Sequence, residues 1–285
     1  MKIGIIGAEN THSAAISHTI NVNKAVRGFT VDYLWGETEE FARKTAEKGQ
    51  IPNIVKSPRA MLGKIDALIV DHRHARYHLP AALPFLKAGI PVFVDKPFCY
   101  RSAEGRKFLS LARRKGVAVT SFSSLPFQQD FAALRQKVTE LGGVVGAASF
   151  GPCDLDSQHG GVFFYGIHQV EMVLEICGYD VVAVQVTRHG GNGIGQLFYK
   201  SGMTVPIHFL KGWKGRFSMT VIGPEGSHHQ ALGHDKDPYL AGIRKFTGMF
   251  KTGRPPRPYD EILKPVQVLE ALERSVKTGR IEKVR

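Results

Sequence analysis

From Lys2 to Thr120, short apolar runs alternate with amphipathic stretches. Residues 3–6 form the first run, which ends in Gly7, and the polar segment after it leads into a helix expected over 13–21. A second strand is expected at 31–35 and a helix at 39–48. Residues 66–70 are mostly apolar, the mark of a parallel strand covered on both faces. A helix over 77–88 follows, with Gly89 placed where a left-handed residue ends a helix. A strand at 91–94, a helix at 103–114 and a strand at 117–120 complete the alternation. Such a pattern predicts an α/β fold with a doubly wound parallel sheet, a Rossmann-type domain at 1–121.

The pattern changes near Ser121. A helix over 127–141 ends at Gly142-Gly143, a strand follows at 144–150, and a helix over 162–177 carries Gly166 and His168. Strand-like runs at 181–187, 194–199, 204–210 and 217–222 are separated by Gly190-Gly191, Ser201-Gly202 and the segment from Gly212 to Gly215, all turn signals. This predicts a C-terminal α+β domain at 122–285: an open, mainly antiparallel sheet with helices on one face. Two last helices, 239–250 and 260–277, flank a proline-rich loop, and the final one has the option of packing back on the first domain.

Composition narrows the class. The 285 residues are 43% hydrophobic and 22% charged, ordinary for a soluble globular protein. No apolar run approaches the roughly 18–20 residues that span a bilayer. Lys2 is followed by a turn instead of a hydrophobic signal region, so the N-terminus reads as structural. Cys99, Cys153 and Cys177 are odd in number and far apart, which fits a reducing compartment; a cytoplasmic protein is expected. The formal charge of +13 is spread along amphipathic segments with no aromatic interleaving. It implies a solvated basic surface and excludes nucleic acid as the expected partner.

The chemistry is concentrated at strand ends. The stretch Gly7-Ala8-Glu9-Asn10-Thr11-His12 sits at a strand–turn–helix junction, where a dinucleotide-binding fold carries G-x-G-x-x-G and seats a pyrophosphate on helix amides. Only the first glycine is present: Glu9 and His12 stand at the second and third positions. A glutamate there must turn its charge away from the phosphates. His12 either donates to a phosphate or serves the structure of the first helical turn. Glu37, after the second strand, lies where an acid accepts from a ribose 2′-hydroxyl and favours NAD over NADP; the competing reading is a helix-start glutamate beside Thr38. Asp71 and His72, past the third apolar run, are expected to line the cofactor cleft. The cluster Asp71-His72-Arg73-His74 lacks the spacing of a four-coordinate metal set, and no metal is expected.

Asp95-Lys96-Pro97 at a strand end, followed further on by Gly166-Ile167-His168 on a helix, resembles the glucose–fructose oxidoreductase / inositol dehydrogenase (Gfo/Idh/MocA) family. The residues from Ala88 to Pro97 are similar to that family's A-G-K-x-V-x-x-E-K-P, and Thr252-Gly-Arg-Pro-Pro256 is similar to the start of its closing segment. The resemblance implies NAD or NADP as cofactor and a homo-oligomer associating through the C-terminal sheet. It implies hydride transfer with a secondary alcohol of a sugar, cyclitol or related polyol. It assigns Lys96 and Pro97 to the nicotinamide and substrate, and His168 to proton exchange with the hydroxyl. Phe164 stands where the family has an Asp; Tyr165, Glu171 and His159 are candidates to replace it. The alternative reading is a family-fold protein without redox activity, a ligand-binding or regulatory subunit. Ser123 and Ser124 form no nucleophile elbow, so serine hydrolase chemistry is not expected.

Overall fold

The computed structural model describes residues 1–285. In chain order it contains β1 (Lys2–Ile6), α1 (Thr11–Ser17), β2 (Thr30–Trp35), α2 (Glu39–Gly49), β3 (Asn53–Ile54), β4 (Ala67–Val70), α3 (His78–Lys87), β5 (Val92–Val94), α4 (Ser102–Lys115) and β6 (Val119–Thr120). There follow α5 (Gln129–Glu140), β7 (Gly146–Pro152), α6 (Val162–Cys177), β8 (Val181–His189), β9 (Asn192–Tyr199), β10 (Thr204–Leu210), β11 (Phe217–Gly223) and β12 (Gly226–Leu232). The chain closes with α7 (Leu240–Thr252), α8 (Tyr259–Thr278) and β13 (Glu282–Lys283). Two compact units result: Met1–Phe122 with Tyr239–Ile262, and Ser123–Pro238 with Leu263–Arg285.

The first unit is built on a six-stranded sheet in the order β3-β2-β1-β4-β5-β6, with every pair parallel. The strand order reverses between β1 and β4. Ligands of open α/β sheets gather at the carboxyl ends beside such a reversal. Ile3, Ile5 and Ile6 of β1 and all of β4 are fully buried, which explains their unbroken apolar character. The first helix is shorter than the apolar pattern predicts. Past Ser17 it continues as a π turn, His18–Val22, whose Asn21 amide donates to Val31 O and Gly49 O and accepts from Val31 N. The edge strand β3 escapes the sequence pattern because both its residues are exposed. The segment Tyr239–Ile262 returns to this unit, where Phe246 of α7 stacks on Phe93 of β5 at 4.5 Å.

The second unit holds a seven-stranded sheet, β12-β11-β7-β10-β9-β8-β13. It is antiparallel except for the β7–β10 pair. Strand residues alternate between buried and partly exposed, so one face is covered and the other more open. On the covered face, Gln169 of α6 is wholly buried. Its Oε1 accepts from Ser149 Oγ (3.0 Å) and its Nε2 donates to His208 O (3.2 Å), so the helix docks through a satisfied polar contact. His228 and His229 lie on β12, paired with β11.

Candidate functional site

In the first unit the chemistry collects at the carboxyl ends of β1, β2, β4 and β5. Gly7 has φ +109°, and a Cβ there would lie 2.6 Å from the carbonyl carbon and oxygen of Asp71. Only glycine permits both the backbone conformation and this approach of the turn to the β4 end. The amides of Ala8 and Glu9 both donate to Glu37 Oε2, at 2.8 and 2.9 Å. Glu37 thus braces the turn from the end of β2, while its Oε1 is buried without a hydrogen-bond partner. The Glu9 carboxylate turns to Arg73, at 4.0 Å.

The substituted turn positions feed a buried polar network. Asn10 caps α1 and donates through Nδ2 to Asp71 Oδ1 (2.7 Å) and Asp95 Oδ2 (3.3 Å). His12 Nδ1 lies 3.2 Å from both oxygens of Asp95, and Lys96 Nζ lies 3.5 Å from Asp95 Oδ2. Ser13 Oγ touches two groups, Gly7 O at 2.7 Å and Asp71 Oδ2. A hydroxyl has one hydrogen and a carbonyl only accepts, so Ser13 donates to Gly7 O. The contact to Asp71 then requires the proton to sit on Asp71. Electrostatics agrees: burial, and after it the charge of Asp95, raise the Asp71 carboxyl well above its usual range. Burial acts on Asp95 in the same direction, but His12 and Lys96 outweigh it and hold that group ionised, well below the usual range.

His12, Asp71 and Asp95 offer ligand atoms within 4.8 Å of one another. Their oxygens are nevertheless occupied by the Asn10 amide, the Ser13 hydroxyl and the Lys96 ammonium, a hydrogen-bonded network instead of a cation's donor set. His72 is buried, with its Nδ1 unpartnered, and burial pushes its imidazole down to about 3. His78 fastens the strand ends, its Nδ1 2.8 Å from Pro97 O and its Nε2 2.8 Å from His72 O. Lys96 is 7% exposed, held beside Asp95.

In the second unit, α6 carries His168, which is buried. Its Nδ1 lies 2.7 Å from Ser123 Oγ. Glu171, three residues further along α6, accepts the Ser123 amide through Oε2 at 2.6 Å. Phe164, at the family's acid position, packs its ring on His159 (4.8 Å) and Tyr165 (5.0 Å). The side chain that hydrogen-bonds the imidazole at Nδ1 is Ser123, a residue the sequence gives no reason to pair with His168. They are 45 positions apart, and neither spacing nor period connects them.

Comparison with known proteins agrees with this architecture. Residues 1–123 match the family model described as "Oxidoreductase family, NAD-binding Rossmann fold" (GFO_IDH_MocA). The chain is 26% identical over 178 residues to the uncharacterized oxidoreductase YhhX of Escherichia coli (strain K12), covering 53% of this chain and 52% of that protein. It spans about half the length of the curated relatives it matches. Among solved structures, the apo scyllo-inositol dehydrogenase of Lactobacillus casei superposes with a TM-score of 0.87 at 13% identity, covering 100% of this chain and 98% of the other. The myo-inositol dehydrogenase of the same species, in complex with NAD(H) and myo-inositol, gives 0.85 at 15%, covering 100% and 97%. At these identities the likeness is one of fold. Residues 1–123 thus carry the signature of the NAD-binding Rossmann region of the Gfo/Idh/MocA oxidoreductase family.

Proposed function

We propose that the chain is an NAD-dependent oxidoreductase acting on a secondary alcohol of a sugar, cyclitol or related polyol. The observation that carries this reading is the crevice at the β1/β4 reversal, where Gly7 lets the turn close on β4 and two buried polar atoms, Glu37 Oε1 and His72 Nδ1, have no partner. Buried polar atoms are satisfied as a rule, so orphans at a ligand crevice are explained by a ligand. Glu37 is oriented by the Ala8 and Glu9 amides, and its remaining oxygen suits a ribose hydroxyl, which selects NAD over NADP. The start of α1, from Asn10 and Thr11 to His12, takes the pyrophosphate. Bound there, NAD supplies the hydride acceptor. Lys96, with Pro97 fixing the loop after it, orients the nicotinamide and substrate. His168 serves the substrate oxygen whose proton is exchanged.

Calorimetric titration with NAD and NADP tests the reading. Micromolar binding of NAD with weaker NADP is expected, and Glu37→Ala should narrow the gap. No binding at millimolar nucleotide overturns the proposal in favour of a ligand-binding or regulatory role, which the missing glycines and the aromatic at Phe164 motivate. We further propose self-association through the open face of the second sheet. The cross-strand rows Ile194–His208–Phe150–Ser218 and Gln196–Pro206–Ala148–Thr220 lie there without an Asp, Glu, Lys or Arg, on a chain with formal charge +13.

A further inference from the structure

We infer that Ser123 fixes the resting tautomer of His168, with the proton on Nε2. Ser123 Oγ has two contacts: it accepts from Leu125 N at 3.2 Å and meets His168 Nδ1 at 2.7 Å. The backbone amide of Leu125 only donates, so the hydroxyl's own hydrogen has one acceptor within reach, the Nδ1 lone pair. Were Nδ1 protonated instead, two donors would converge on Oγ and its buried hydrogen would be stranded. Ser123 cannot easily swing away: it is wholly buried, and its amide is tied to Glu171 at 2.6 Å. His168 and Glu171, one turn apart on α6, thus grip the side chain and the backbone of the same residue.

A serine partner differs from a carboxylate in kind. A carboxylate only accepts, which places the proton on Nδ1 and leaves Nε2 as a base. The hydroxyl donates, and Nε2 becomes the donor. With Phe164 in place of an acid, His168 therefore presents an N–H to a substrate oxygen. Accepting a proton at Nε2 first requires the Ser123 bond to reverse. This consequence for the substrate rests on the oxidoreductase reading; the tautomer does not.

The test is nitrogen NMR of the intact protein labelled with 15N-histidine, the His168 signals among the 12 histidines being identified by their loss in His168→Gln. At neutral pH the neutral ring should show a protonated Nε2 and an unprotonated Nδ1. Ser123→Ala should release the bias toward a mixture of tautomers, and Ser123→Thr should restore it. A wild-type ring protonated at Nδ1 overturns the inference, even if Ser123→Ala fails to fold, and so do unchanged populations in a folded Ser123→Ala. Turnover in the direction of carbonyl reduction, where Nε2–H donates to the substrate oxygen, gives the second readout: loss of kcat by about tenfold in Ser123→Ala, recovered in Ser123→Thr. If no nucleotide binds and the Nε2–H tautomer is still found, the oxidoreductase reading fails and the assignment to Ser123 holds.

Discussion

Asp71 and Asp95 end neighbouring strands and share the Asn10 amide, yet they settle into opposite charge states because their other partners differ. Asp71 faces a hydroxyl already committed to a carbonyl, whereas Asp95 faces an imidazole and an ammonium. Replacing Asp71 by Asn keeps both of its hydrogen bonds, with the new amide donating to Ser13. Urea unfolding at pH 8 should show stability equal to or above wild type, since a raised carboxyl pKa costs stability as pH climbs toward it. Asp95→Asn strips a buried ammonium of its counter-charge and should cost about 3–5 kcal/mol in the same assay. His72 has the opposite sign. Its pKa falls from 6.5 unfolded to about 3 folded, so its contribution is complete above pH 6.5 and is lost as pH drops toward 3. By pH 5 that loss is about 2 kcal/mol, and His72→Phe should flatten this part of the stability–pH curve.

At the scale of the element, the turn after β1 compensates for its missing glycines with side-chain bonds. Asn10, His12 and Ser13 tie the start of α1 to the ends of β4 and β5, and Glu37 ties the turn to the end of β2. Gly7 is the one position with no substitute. Gly7→Ala meets both a positive φ and the Asp71 backbone, and should lower stability by about 1–3 kcal/mol with a larger relative loss of NAD affinity, read by denaturation and calorimetry. Lys96→Ala should abolish turnover while the circular dichroism stays native, if the lysine orients the substrate. The same elements show the reach of sequence reading. The buried strands β1 and β4 are legible as apolar runs, but the destination of His12 is not, because its partner lies 83 residues away.

For the whole molecule, charge and surface separate. The basic excess is spread over helices, loops and strands, while the open face of the second sheet presents two uncharged cross-strand rows. If copies of the chain meet there, Ile194→Lys together with Phe150→Glu should turn the oligomer into a monomer in sedimentation velocity, with NAD binding intact. An unchanged sedimentation coefficient places the association elsewhere. The family match covers residues 1–123, so the first unit carries the NAD-binding signature, and the second unit's assignment rests on fold likeness and on its own residues.

What the sequence determined by itself is whatever repeats at short range. Period-two and period-3.6 patterns set the strands and helices, the double burial of parallel strands wrote their apolar runs, and Asp95-Lys96-Pro97 with Gly166-Ile167-His168 carried the family resemblance. Tertiary structure alone decided which polar groups meet: Ser123 with His168, Glu37 with the Ala8 and Glu9 amides, Ser13 with Asp71. It also decided that the segment Tyr239–Ile262 returns to the first unit, where Phe246 stacks on Phe93. Local patterns record which side of an element is buried. A hydrogen-bond partner supplied by a distant strand leaves no periodic trace, and its proton is assigned only when every neighbour of the hydroxyl is in place.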